Sequence, residues 1–313
     1  MTGGVGAAVL AGVALGAVPS SAQATPGPVK VVKVSCTPDA LVTAIQTAKV
    51  AGAAKLLLSP NCVYSYTTAA APGDALPIIT GDITLVGGPD TTIRRDPAAS
   101  TAFRVLEVAS GATLHVRGIS ILDGSTAALG GGILNAGTVF LDLTTLGGNR
   151  AGNGGAFANT SGAKATISLS LLNANSTTGV GGGGILNWGT LTVSRSVLAG
   201  NNAPINGGGL NTQASGVSHL IESTVDDNTS GSLGGGISNL GTTTLDRVLV
   251  KHNKGSAGGG IATGNTNVTI RNSIIRDNIP DNCSPMNTIP GCVDQPSAGR
   301  RLTSLPHLSP ITP

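Results

Sequence analysis

Six asparagines, Asn149, Asn175, Asn201, Asn228, Asn253 and Asn278, follow one another at steps of 26, 26, 27, 25 and 25 residues. A period this regular constrains the fold strongly. Each unit is too small to bury its own apolar face and must stack on its neighbours. Three residues before each asparagine stands an aliphatic: Leu146, Leu172, Leu198, Val225, Val250 and Ile275. Five before stands a small or β-branched residue: Thr144, Ser170, Ser196, Ser223, Val248 and Ser273. Positions two apart on a strand share a face, so both columns point inward, the serines as core filling.

Glycine clusters followed by an aliphatic recur after the asparagines, as in Gly183-Gly184-Ile185, Gly208-Gly209-Leu210 and Gly235-Gly236-Ile237. Glycine permits positive φ and close backbone approach. An alternating stretch such as Thr190-Leu191-Thr192-Val193 then supplies a third strand. Each coil therefore holds about three short strands and no helix. Stacking such coils places the asparagines above one another at about 4.8 Å per rung, where their amides form a hydrogen-bonded ladder. The expected fold is an all-β, right-handed parallel β-helix. A leucine-rich repeat shares part of the pattern. It is rejected because the positions two after each asparagine, Ala151, Thr177, Ala203, Ser230, Gly255 and Pro280, would leave a horseshoe core underfilled.

Composition agrees. Of 313 residues 47 are Gly, 11% are charged and 2% aromatic, while 40% are hydrophobic. That suits thin stacked coils and not a disordered chain. The formal charge of +3 is dispersed. No basic run interleaved with aromatics exists, which excludes nucleic acid as a partner.

Residues 1–24 read as a signal peptide. Val5 to Val18 is apolar and Ala22-Gln23-Ala24 is a small-x-small cleavage site, although no Lys or Arg precedes the apolar run. Residues 25–34 read as a linker, 35–293 as the β-helix domain and 294–313 as a Pro-rich disordered tail. Thr37-Pro38-Asp39 opens a helix over about 37–52, with Leu41, Ile45 and Ala48 on one face, which would cap the solenoid end. Four cysteines allow three connectivities. The local pairs Cys36–Cys62 and Cys283–Cys292 are favoured as end staples in an oxidising compartment. No metal-binding cysteine or histidine cluster is present.

The segment Pro38 to Gly52, the strand Leu56-Leu57-Leu58 with Asn61-Cys62-Val63-Tyr64, and the Gly-Gly-Gly-Ile-x-Asn coils resemble the pectate-lyase-like right-handed β-helix proteins secreted by bacteria. Gly154-Gly155-Ala156-Phe157 and the asparagine-ended coils also resemble polymorphic outer-membrane-protein repeats. The likeness spans residues 35–293. It implies the fold, whereas lyases, hydrolases and adhesins all use it. Lyases of the group hold calcium with acidic residues and use an arginine or lysine as base.

Charges that stack on neighbouring coils are therefore the candidates for such a site. The column before the asparagine gives Asp227, His252 and Asp277, and the one before that gives Asp226, Lys251 and Arg276. As catalytic candidates, the acids would bind a cation or act as acid and base. Lys251 or Arg276 would take a proton, and His252 would shuttle one. An alternation of opposite charges between rungs explains the same pattern without function and is preferred. Trp188, Arg195, Glu222 and Arg247 are ligand-binding candidates, set against the plainer reading of a coil-edge aromatic and surface ion pairs. The expected protein is secreted or cell-surface, monomeric and without a membrane segment or cofactor. It binds extracellular polysaccharide or cell-wall glycan. A polysaccharide lyase or glycoside hydrolase (with calcium if a lyase) and an adhesive solenoid are the alternatives.

Overall fold

The computed structural model describes residues 1–4, 29–265, 267–285 and 288–293. The expected signal segment beyond residue 4 and the Pro-rich tail lie outside the described residues. The chain is an all-β solenoid. Among the described residues its parallel sheets contain ten, nine, eight and four strands, with a strand of the longest sheet in each coil. Equivalent strands pair one coil apart: Thr138–Asp142 lies beside Lys164–Ser168, which lies beside Thr190–Ser194.

One coil shows why the repeat folds as it does. Lys164–Ser168 runs in the ten-stranded sheet with Ala165 and Ile167 inward. Leu169, at φ 49°, turns the corner into Leu171–Asn173 of the nine-stranded sheet. Ala174, at φ 53°, makes the second corner, and buried Asn175 follows. Ser176–Thr177 then pairs in the four-stranded sheet. This fourth, two-residue strand exceeds the expected three per coil. It forms because the chain stays extended for two residues past the asparagine before the glycines turn it. The chain bends at 178–180, and Gly182, at φ 72°, then leads into the next strand; a Cβ on Gly182 would stand 2.5 Å from the Ile185 carbonyl oxygen. Ile185–Asn187 of the eight-stranded sheet completes the coil.

The asparagines stack in register. Asn175 Nδ2 donates to Asn201 Oδ1 at 2.9 Å and to the Leu146 carbonyl at 2.9 Å. The Asn175 backbone N–H donates to the same Asn201 oxygen at 3.0 Å. The pattern runs from Asn149 to Asn278, and Asn278 Nδ2 donates to Asn282 Oδ1 at 3.0 Å. The serine column is polar work, not filling. Ser170, Ser196 and Ser223 hydroxyls accept the backbone N–H of Thr144, Ser170 and Ser196 at 3.0, 3.0 and 3.2 Å. Each serine also donates to the carbonyl two residues earlier.

A second ladder was not anticipated. Asn135 Nδ2 donates to Asn159 Oδ1 at 2.8 Å, and Asn159 Nδ2 to Asn187 Oδ1 at 2.9 Å. It then passes through Ser218, Thr212 and Thr243 to Asn239. The change of residue type at Thr212 hid the column.

The linker reading of 25–34 is corrected at its end: Lys30–Val34 is a strand, paired in parallel with Ala53–Leu58, while 25–28 lie outside the described residues. Its β-branched residues suit a strand, and the following coil supplies the partner. The helix Pro38–Ala51 is present. Thr37 accepts the Ala40 N–H, Gly52 closes it at φ 82°, and Leu41, Ile45 and Ala48 are buried in the core. Both local cysteine pairs are disulfides, with Cα separations of 5.7 Å for Cys36–Cys62 and 6.3 Å for Cys283–Cys292.

Candidate functional site

Asp226, Lys251 and Arg276 end strands of the nine-stranded sheet, whereas the other charged candidates fall on corners of the coil. Asp227, His252 and Asp277 hold φ of 53°, 53° and 55°, in the same left-handed corner that Gly148, Ala174 and Gly200 occupy elsewhere. Asp and His tolerate this conformation better than most residues. That accounts for their presence without chemistry. Arg195, Glu222 and Arg247 hold φ of 47°, 50° and 55° at the other corner, between the ten- and nine-stranded sheets.

The structure brings together the catalytic candidates. Asp226, Lys251 and Arg276 are direct neighbours across the nine-stranded sheet. Lys251 Nζ lies 3.1 Å from Asp226 Oδ2, and His252 Nδ1 lies 3.1 Å from Asp226 Oδ1. Arg276 pairs with Asp277 on its own coil. Asp226, Asp227 and His252 each offer a ligand atom within 4.8 Å of the others. They do not fit a calcium ion. Calcium takes six to eight oxygens, whereas here an ammonium and an imidazole already engage both oxygens of the most buried carboxylate. The cluster lies on an open corner, where Asp226 is paired with Lys251 and His252 and Asp277 with Arg276.

The ligand-binding candidates border a different surface. Trp188 is half-buried and lies two residues before the start of Thr190–Ser194, while Arg195, which is exposed, immediately follows that strand. Glu222 accepts from Arg247, whose Nη2 lies 2.9 Å from Glu222 Oε1 and whose Nη1 lies 2.7 Å from Asp246 Oδ2. All four thus flank the outer face of the ten-stranded sheet, Trp188 along one edge and the charges along the other.

That face carries the group that sequence reasoning missed. On adjacent strands, His115 and Phe140 pair in register and stack, with ring centroids 4.5 Å apart and planes 7° from parallel. Phe140 is 37% exposed, unusual for one of only three phenylalanines. A shallow hollow of about 400 Å³ surrounds the pair. Lys55, Asp82, Thr84, Arg117 and Asp142 are among its lining, and Arg117 and Asp142 are ion-paired. The same outward column continues along the axis as Thr166, Thr192, His219, Thr244 and Thr269. The signal was available: Phe140 stands at an outward position of an alternating strand, 25 residues after His115.

A third constellation lies in the irregular early coils. Asp74 is fully buried and Arg104 is 8% exposed. Arg104 pairs with Glu107, and its Nη1 lies 3.3 Å from Asp74 Oδ1. Burial, opposed in part by Arg104, pushes the Asp74 carboxyl up to about 6. A raised acid beside a second carboxylate is the composition of an acid–base pair. Asp74 is sealed from solvent, however, so no substrate reaches it. In the stretch from Tyr64 to Pro77, Tyr64, Tyr66, Ala75 and Leu76 are buried in the core, while residues 67–70 and 72–73 between them are exposed. Among the described residues, no helix is long and apolar enough to cross a membrane. Comparison with protein-family models, with curated proteins and with solved structures finds no match to this chain.

Proposed function

We propose that this protein is a secreted or cell-surface solenoid that binds extracellular polysaccharide or cell-wall glycan without transforming it. In this reading the coils wind right-handed, the helix Pro38–Ala51 caps the first of them, and the kinship is with pectate-lyase-like repeat proteins. The observation that carries it is the stacked His115–Phe140 pair, with Phe140 exposed and His115 half-buried, on a long outer sheet face. A sugar ring offers an apolar C–H face and a rim of hydroxyls. An aromatic face meets the first, and Asp82, Thr84, Arg117 and Asp142 are placed to hydrogen-bond the second. The outward threonines extend the same chemistry at one residue per rung, which suits a polymer better than a small molecule. Two disulfides fit an oxidising compartment.

The test is co-sedimentation of the purified mature chain with insoluble glycans and purified cell wall, alongside Phe140→Ala. A bound fraction that falls at least about tenfold in the variant, the scale of one aromatic contact, with an unchanged melting curve, supports the reading. Equal binding by both proteins removes the sheet face from it. Release of unsaturated or reducing ends from any glycan would replace binding with catalysis.

A further inference from the structure

We propose that the Asp74–Arg104–Glu107 cluster is a pH-sensitive latch, holding segment 71–79 against the edge of the solenoid most tightly in mildly acidic medium and loosening it as the medium becomes neutral. The inference does not depend on the glycan reading. Segment 71–79 adds to the eight-stranded sheet beyond its last regular strand. Its backbone N–H groups at Ala75, Leu76 and Ile79 donate to the carbonyls of Arg104, Val105 and Glu107 at 2.8, 3.2 and 2.9 Å. The side chains of Leu76 and Ile79 are wholly buried.

The charge balance at this seam is unfavourable when every group is ionised. One guanidinium faces two carboxylates, and it is aligned on Glu107 rather than Asp74. Neither Asp74 oxygen nor Arg104 Nε has a hydrogen-bond partner among the described residues. A buried carboxylate left in this state destabilises the fold around it, and a proton removes the excess charge. Among the described residues, the other elements at the seam bring no further charge to offset it. Segment 71–79 contains only Asp74, and the next coil presents Gly131 and Gly132. Arg95 is directed over the neighbouring Phe103 ring at 5.4 Å.

The sign follows from linkage. The Asp74 carboxyl titrates near 6 in the folded chain, above its ordinary 3.8, so the folded state holds the proton more tightly than the opened one. Stability from this group is therefore gained as pH falls through about 6 and lost as pH rises through it.

Hydrogen exchange of the full mature chain, read by mass spectrometry at about pH 5 and about pH 7.5 and corrected for intrinsic rates, tests the latch. Peptides covering Ala75 to Ile79 should be protected about three- to tenfold more at the lower pH. Peptides from the central coils should not differ. Asp74→Asn should show the same high protection at both pH values, and Glu107→Gln should move the midpoint down. Equal protection of the wild-type segment at both pH values overturns the proposal, as does a pH dependence that survives in Asp74→Asn. If that variant does not fold, the wild-type Asp74 carboxyl resonance decides. A midpoint near 6 sustains the latch, and one in the ordinary carboxylate range ends it.

Discussion

The central coils and the early coils solve the same stacking problem differently. From Asn149 to Asn278 the rungs are tied by polar side chains repeated in register, with thin aliphatic layers between them. From Lys30 to Val108 that asparagine column is absent. The space is filled by large side chains, Tyr64, Phe103, Leu76 and Ile79, with a buried ion cluster, a helix and a disulfide. The centre gains order by repetition, because each asparagine satisfies two neighbouring coils at once. The early region gains it from unique packing, in which no residue predicts the next.

The largest effect should come from breaking the centre. Asn201→Ala removes the acceptor for the Asn175 N–H and amide, and the donors to Leu172 O and Asn228 Oδ1. Several buried polar groups lose their partners together, at about 1–3 kcal/mol each. A loss of roughly 3–6 kcal/mol in denaturant unfolding is expected. A loss under about 1 kcal/mol would mean that water or a shifted neighbour replaces the amide and that the ladder is not what holds the coils.

This contrast also explains what was legible beforehand. Periodic side chains announce a stacked architecture because stacking makes each column face one environment. The asparagines and the glycine turns could therefore be placed by position, and the disulfides join the local pairs favoured among three connectivities. The left-handed corners could not. Leu143, Leu169 and Arg195 occupy them without a residue type that advertises positive φ. The polar role of the serines was hidden for a related reason, since an inward serine and an inward valine look alike in a pattern of small residues. Asp74 and Arg104 lie 30 residues apart in coils with no repeat, so nothing in the spacing pairs them. The face around His115 and Phe140 carries one aromatic pair and threonines rather than a column of charge, so no repeated residue type marks it.

In the early coils, Phe103→Ala removes a buried ring and leaves Arg95 without the surface it covers. A cost of about 3–5 kcal/mol is expected from lost burial and the cavity. The informative measurement is where the loss is felt. Hydrogen exchange should rise in residues 64–108 and leave the coils beyond Asn175 unchanged, because a solenoid couples mainly through adjacent rungs. Exchange rising equally along the whole chain would show that early and central coils unfold as one unit, and the comparison would lose its basis.

The smallest effect should fall on the corner that drew most notice in the sequence. Lys251→Ala breaks the 3.1 Å pair with Asp226, whose partner groups remain about a quarter exposed. Its other oxygen keeps His252 as a neighbour, and water reaches the vacated side. Exposed pairs of this kind contribute about 0–1 kcal/mol, so unfolding should shift by less than about 1 kcal/mol and glycan binding not at all. The asymmetry with Asn201 is then the physical content of the comparison. A residue that repeats inside the coil holds two rungs together, whereas a charge that repeats outside it is answered by solvent as readily as by its neighbour. A large loss of binding in Lys251→Ala with stability intact would reverse that judgement and move the ligand from the sheet face to the corner.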